Sequence, residues 1–174
     1  MIQWFKKENS IIFSMSKSFI LSDYLNKAKY IPSKPGVYYI LLPKNRSIKS
    51  LRFINKINSH NKLRVKDKNG PYSIKKLKEK QRLCEENKGY KNDLLYIGKA
   101  KNLNNRINEY INYLFCGGKV HKGGRVIGQI VNFEELICRY SKTSTEEKAI
   151  KKETYELQTF KKKRKCLPLA NWRK

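Results

Sequence analysis

The stretch Asp93-Leu94-Leu95-Tyr96-Ile97-Gly98-Lys99-Ala100-Lys101-Asn102-Leu103 changes character half-way along. Asp93 to Gly98 is apolar and aromatic and ends at a glycine, which predicts a short buried strand over 93–98. Asn102 then offers a helix cap. Leu103, Ile107, Tyr110, Ile111 and Leu114 recur at helical spacing. Cys116-Gly117-Gly118 supplies the stop.

Upstream, Pro32-Ser33-Lys34-Pro35-Gly36 punctuates the chain, and Val37-Tyr38-Tyr39-Ile40-Leu41-Leu42 runs β-branched and aromatic until Pro43. That predicts a largely buried strand. Downstream, Gly123-Gly124 precedes a short helix over 125–131, and 133–140 alternates as a third strand with Leu136, Cys138 and Tyr140 on one face. Thr145 caps a last helix whose apolar stripe is Ala149, Ile150, Leu157 and Phe160. The order β, β, α, β, α predicts a mixed α/β (α+β) fold: a small sheet flanked by helices. No internal repeat is visible.

At 174 residues and 20.6 kDa the chain is one domain, or one domain with attachments. With 39% hydrophobic and 11% aromatic residues it can bury a core, which excludes wholesale disorder. Forty basic residues against 14 acidic give a net charge of +26. Such an excess points to a polyanionic partner, nucleic acid first and an anionic membrane second. No apolar run is long enough to cross a membrane. The apolar stretch Ile11-Ile12-Phe13 is too short and broken for a signal peptide. Cys84, Cys116, Cys138 and Cys166 show no CxxC spacing, so they read as reduced structural thiols and the expected location is cytoplasmic.

The charge is densest between Lys44 and Lys91: residues 36–95 hold 16 basic and 5 acidic groups. This Lys/Asn/Ser-rich text contains a turn signal at Asp67–Pro71 and a helix from Ser73 to about Glu86, with a thin stripe of Ile74, Leu77 and Leu83. It reads as a basic insertion over 44–90. Residues 1–32 read as an N-terminal extension to a core over 33–174.

Four features invite chemistry. Glu153 follows Ala149 by four and precedes Leu157 by four, so it lies on the apolar face of its own helix. A carboxylate there needs a cation. A buried salt bridge would satisfy it as well, and Glu156 on the same side competes for the role. Arg106 borders the buried stripe of the first helix, where arginines commonly snorkel. Lys99 follows a strand end just before a helix start, a position that favours anions. Tyr38 follows Gly36-Val37 at the start of a buried strand, where most tyrosines are core.

Taken singly, each feature is ordinary. In order, Gly36-Val37-Tyr38, Tyr96-Ile97-Gly98, Lys99, Arg106, Glu153 and Asn171 resemble the GIY-YIG nuclease family. The text from Tyr96 to Arg106 and from Thr145 to Glu153 is similar to the N-terminal nuclease domain of the bacterial excinuclease. His121-Lys122-Gly123-Gly124-Arg125, with the ending Pro168-Leu169-Ala170-Asn171, is similar to small free-standing bacterial members. Tyr38 and Tyr96 stand 58 positions apart, where the family has a short connection. The insertion fills that gap.

The resemblance implies about three core strands, largely antiparallel. It also implies an endonuclease that hydrolyses phosphodiester bonds in DNA, double-stranded by preference, with one Mg²⁺ or Mn²⁺ and no small-molecule cofactor. Glu153 would be the metal ligand. Tyr38 would act as general base or orient the water, and Tyr96 would position water or phosphate. Lys99 and Arg106 would hold the scissile phosphate. His121, Arg125 and Asn171 would be substrate-side residues. A tyrosine with its usual pKa of ~10 serves as a base only if that pKa falls, and Lys99, Arg106 and the cation are expected to lower it. The alternative is a non-catalytic basic nucleic-acid-binding protein. That reading explains the charge but not an acid inside a helix face. A membrane-surface protein would need a strong amphipathic anchor, which is missing.

Overall fold

The computed structural model describes residues 17–24, 31–55, 72–86, 93–116, 121 and 123–172. The turn at Asp67–Pro71, the helix stop at Gly117-Gly118 and the apolar stretch at 11–13 lie outside the described residues. Strands β1 (Lys17–Ile20), β2 (Gly36–Leu41), β3 (Leu94–Ala100) and β4 (Ile137–Lys142) form one antiparallel sheet in the order β1-β4-β2-β3. The helices are α1 (Ile74–Glu86), α2 (Leu103–Cys116), the single turn α3 (Gly124–Ile127) and α4 (Glu146–Arg164).

β2 is central, and five of its six residues are buried. The two-residue pleat divides them between two cores. Val37, with Ile97 of β3, packs on Ala149 and Leu157 of α4. Tyr38 and Ile40, with Ala100 of β3, enter the larger core beside Leu103, Ile107 and Ile111 of α2. Both long helices are capped as expected. The Asn105 N–H donates to Asn102 Oδ1 at 3.0 Å. The Lys148 N–H donates to Thr145 Oγ1 at 3.3 Å. In α4, acids fill the first turn and four cations the last, which complements the helix dipole.

Several boundaries differ from the expectation. β3 does not stop at Gly98 but runs on to Ala100. The glycine serves a close approach: a Cβ on Gly98 would lie 2.7 Å from both Tyr38 Cζ and Tyr96 Cε1. β4 starts at Ile137 rather than Phe133. Asn132 takes a left-handed φ of 58°, and a 3-10 turn over Phe133–Glu135 buries the Phe133 ring. The helix expected over 125–131 ends at Ile127, and Ile130 then bridges Phe53. The sheet gains a fourth strand, β1, from the stretch read as an extension; its four residues are too few to show a pattern. On α4, Ile150 is 37% exposed, and Arg164 is buried instead.

The described residues of the stretch 44–90 contribute to the core. α1 lies where it was expected, but its inner face is Leu77, Gln81 and Cys84, and Leu83 is 48% exposed. Ile48 and Leu51 join the same cluster as Leu77. Gln81 is buried because Nε2 donates to the carbonyls of Ile48 (2.6 Å) and Leu51 (3.2 Å). Its amide closes backbone acceptors that would otherwise be buried unpaired.

Leu77→Ala should therefore cost about 2–5 kcal/mol, and Leu83→Ala no more than about 0.5 kcal/mol. Urea unfolding of the two variants measures the contrast. Equal, small losses would mean that α1 rests on the surface.

Candidate active site

Tyr38 pairs directly with Gly98 across β2 and β3. Tyr96 stands two residues earlier on β3, so both rings rise from one face of the sheet. Their centroids are 5.7 Å apart. Tyr110 of α2 completes a cluster, 5.9 Å from Tyr38 and 6.2 Å from Tyr96. The segment before α3 closes over it. His121 meets the Tyr110 ring edge-on at 4.7 Å. Gly123 presses so close that a Cβ there would sit 2.4 Å from Tyr96 Cζ.

Hydrogen bonds link the backbone of α3 through His121 to Tyr38. The Gly124 N–H donates to His121 Nδ1 at 3.2 Å. Burial, helped by the field of Arg106, lowers the His121 pKa to about 3, so the imidazole is neutral. With Nδ1 accepting, the single ring proton belongs on Nε2. Nε2 lies 3.3 Å from Tyr38 Oη and donates to it. The Tyr38 hydroxyl, the Tyr96 hydroxyl and the Arg106 guanidinium lie close enough to act on one another.

The protein's own groups raise both tyrosine pKa values. Burial is the main cause for each, and it outweighs the opposing field of Arg106. Tyr38, 1% exposed, is pushed well up. Lys99 does not take part in this balance. It is exposed and pairs with Val37, so the pleat turns it to the α4 side of the sheet. Arg106 is half-exposed, pairs with Glu109 at 2.9 Å, and acts on Tyr38, Tyr96 and His121 together.

The two candidate acids separate. Glu153 is 8% exposed, lies between Ala149 and Leu157, and its charge acts on Tyr96. Glu156 accepts a hydrogen bond from Tyr39 Oη at 2.9 Å, and burial raises its pKa. Among the described residues no three or more His, Cys, Asp or Glu side chains gather. A hard divalent cation held by one carboxylate retains most of its waters, which suits Mg²⁺, so Glu153 fits that group by its chemistry.

Asn171 spends its amide on the backbone. The Ile97 N–H donates to Asn171 Oδ1 at 3.0 Å, and Nδ2 donates to the Ile97 carbonyl at 2.9 Å. With the bond from the Ala170 N–H to the Leu95 carbonyl (2.8 Å), the segment covers the open edge of β3 beside Tyr96. Arg125 is likewise engaged elsewhere. Its guanidinium lies 4.5 Å from the Tyr72 ring centroid, and Nη2 donates to Tyr72 Oη at 2.9 Å. Tyr72 stacks on Trp172 at 4.7 Å, and Lys80 lies 4.5 Å from the Trp172 ring centroid. So Tyr38, Tyr96, His121 and Arg106 come together, Glu153 acts on Tyr96 from α4, and Arg125 joins a separate cation–aromatic ladder. Gly123 and Tyr110 went unnoticed as site residues in the sequence. The glycine pair beside His121 was the available signal for the first, and Tyr110 looked like an ordinary member of the α2 stripe.

A family model described as the GIY-YIG catalytic domain matches residues 72–166, more than half of the chain. The chain belongs to the GIY-YIG nuclease family. Comparison with curated proteins gave no match, and neither did comparison with solved structures. The matched region begins after Tyr38 and ends before Asn171. Both are joined to it in space, Tyr38 through its pairing with Gly98 and Asn171 through its clamp on Ile97. The GIY-YIG half-motifs are thus adjacent strands although Tyr38 and Tyr96 stand 58 positions apart.

The neutral, buried His121 makes stability depend on pH. Its folded pKa lies below the ordinary value of 6.5. The stability it contributes is full above that value and is lost as pH falls toward the folded pKa, at up to about 1.4 kcal/mol per pH unit. His121→Gln should remove that slope between about pH 6.5 and 4, as read by denaturant unfolding at several pH values. An unchanged slope would mean that another group titrates.

Proposed function

We propose that this GIY-YIG protein is a divalent-metal-dependent endonuclease acting on double-stranded DNA, with 33–174 as the nuclease core and 44–90 as its basic insertion. The observation that carries the reading is the convergence of the bonded pair His121–Tyr38, the adjacent Tyr96 ring, the Arg106 guanidinium and a buried Glu153 whose charge acts on Tyr96. Partly exposed cation, hydroxyl donor and carboxylate are what an anionic diester and a hard cation require. The net charge of +26 supports a polyanionic substrate.

In this reading Glu153 holds Mg²⁺ or Mn²⁺. The bound cation would offset the charge that develops on the phosphate and the leaving oxygen. Arg106 binds the scissile phosphate with its planar fork of donors, and exposed Lys99 contacts the backbone of the DNA. Tyr96 is the less buried of the two tyrosines, so its hydroxyl is the one offered to the phosphate or the attacking water. Tyr38 lies behind it and, with His121, fixes its orientation. His121 offers Tyr38 no free acceptor, because Nδ1 accepts from the backbone and Nε2 already holds a proton. With burial holding both tyrosine pKa values up, the tyrosines serve in this reading as oriented donors and not as the general base. Asn171 acts as a positioning residue for the β3 backbone beside Tyr96.

Incubation with supercoiled plasmid and Mg²⁺ should give nicked or linear product, and EDTA should abolish it. Glu153→Gln should do the same while leaving DNA affinity nearly intact, because no phosphate contact is lost. Glu156→Gln should retain cleavage. Binding without cleavage under every divalent metal would leave the protein as a basic nucleic-acid binder.

Tyr96→Phe should slow single-turnover cleavage of a labelled duplex by about 10²–10³-fold, the usual effect of losing one transition-state donor. Tyr38→Phe should cost less, since it disturbs orientation without removing the outward hydroxyl. Thermal melts control for folding. The reverse order of effects would return the base role to Tyr38.

A further inference from the structure

Four cysteines scattered through the sequence sort into three environments. Cys138 is buried on β4, and Cys116 is exposed at the end of α2. Cys84 and Cys166, 82 positions apart, meet: their sulfurs are 3.5 Å from each other. Cys84 lies on the inner face of α1 and is 1% exposed. Cys166 follows α4 and is partly open to solvent. We propose that Cys84 and Cys166 are a modification site, a dithiol that a hydroperoxide oxidises to an intramolecular disulfide.

The pair has an accessible member, a sheltered member and a basic setting. The Lys80 ammonium interacts electrostatically with both sulfurs, and the Arg164 guanidinium acts on Cys84. Cations beside a thiol favour the thiolate, which is the nucleophile. Burial works against this at Cys84. Together with the neighbouring Cys166, it pushes that thiol up to about 12, so Cys84 is the poorer first reactant. Cys166 meets the oxidant first. Its thiolate attacks one oxygen of the hydroperoxide, the O–O bond breaks, and an alcohol (water, for hydrogen peroxide) leaves with the Cys166 proton. The product is a sulfenic acid on Cys166. The Cys84 sulfur then attacks the Cys166 sulfur and displaces hydroxide, which takes the Cys84 proton and leaves as water. Two thiols lose two electrons in all, and one hydroperoxide is reduced. Closure brings the sulfurs about 1.5 Å nearer than their present 3.5 Å.

The bond would tie α1 to the chain just ahead of Pro168–Asn171, the segment that covers the edge of β3. The same face already joins those parts without covalent help: Lys80 Nζ donates to the Asn171 carbonyl, and Cys84 Sγ lies 3.7 Å from the Leu167 carbonyl. The proposal does not depend on nuclease activity, and neither does its test.

The experiment treats the reduced full-length Cys116→Ser protein with one equivalent of hydrogen peroxide near neutral pH. The expected product is a monomer lighter by two hydrogens. Its digest should contain the Cys84 peptide joined to the Cys166 peptide, and a thiol reductant should release them. In Cys84→Ala, dimedone should label Cys166. Because Cys84 is buried, Cys166→Ser provides the second variant: it should abolish the linkage with an unchanged melting temperature. Cys166 accumulating as sulfinic acid in the presence of Cys84 would overturn the proposal, as would linkage of either residue to Cys138 or to a second molecule.

Discussion

The pairing of Tyr38 with Gly98 is the contact on which the rest of the site depends. A side chain at 98 would occupy the space where the Tyr38 and Tyr96 rings lie, since a Cβ there would stand 2.7 Å from both. With glycine opposite it, Tyr38 folds over the strand and reaches Tyr96 on one side and His121 on the other. The register follows from burial. Sliding β2 by one residue against β3 would send Tyr38 into the α4 layer and Val37 into the α2 layer, exchanging the contents of two cores.

Burial also sets the chemistry of the cluster. Low-dielectric surroundings penalise the phenolate and the imidazolium alike, so the tyrosines hold their protons and His121 stays neutral. One half-exposed guanidinium does not reverse that.

The described residues between the half-motifs add to the core. Leu77, Cys84, Ile48 and Leu51 fill space under the sheet, and Gln81 closes backbone acceptors in the same place. Lys80 and Trp172 then join α1 to the segment that protects the edge of β3. An uncovered β3 would present unpaired N–H and C=O groups right beside Tyr96. The Asn171 amide, matching one peptide with one donor and one acceptor, removes that liability at Ile97.

Much of this was legible in the residues themselves. The periodicity of Leu103, Ile107, Tyr110, Ile111 and Leu114 determined α2 and its buried face, and Asn102 and Thr145 marked the starts of two helices, because capping and amphipathicity are local and repeat at fixed spacing. The place of Glu153 among Ala149 and Leu157 made it a buried acid from sequence alone. Only the tertiary structure placed His121 against Tyr38, Gly123 against Tyr96, Asn171 on Ile97 and Arg125 on Tyr72, because those partners lie far apart along the chain and a polar side chain has no periodicity to reveal its partner. It also decided the direction of the tyrosine pKa shifts. Nearby charges can be guessed from a motif, but the depth of burial that outweighs them is a property of the packed core.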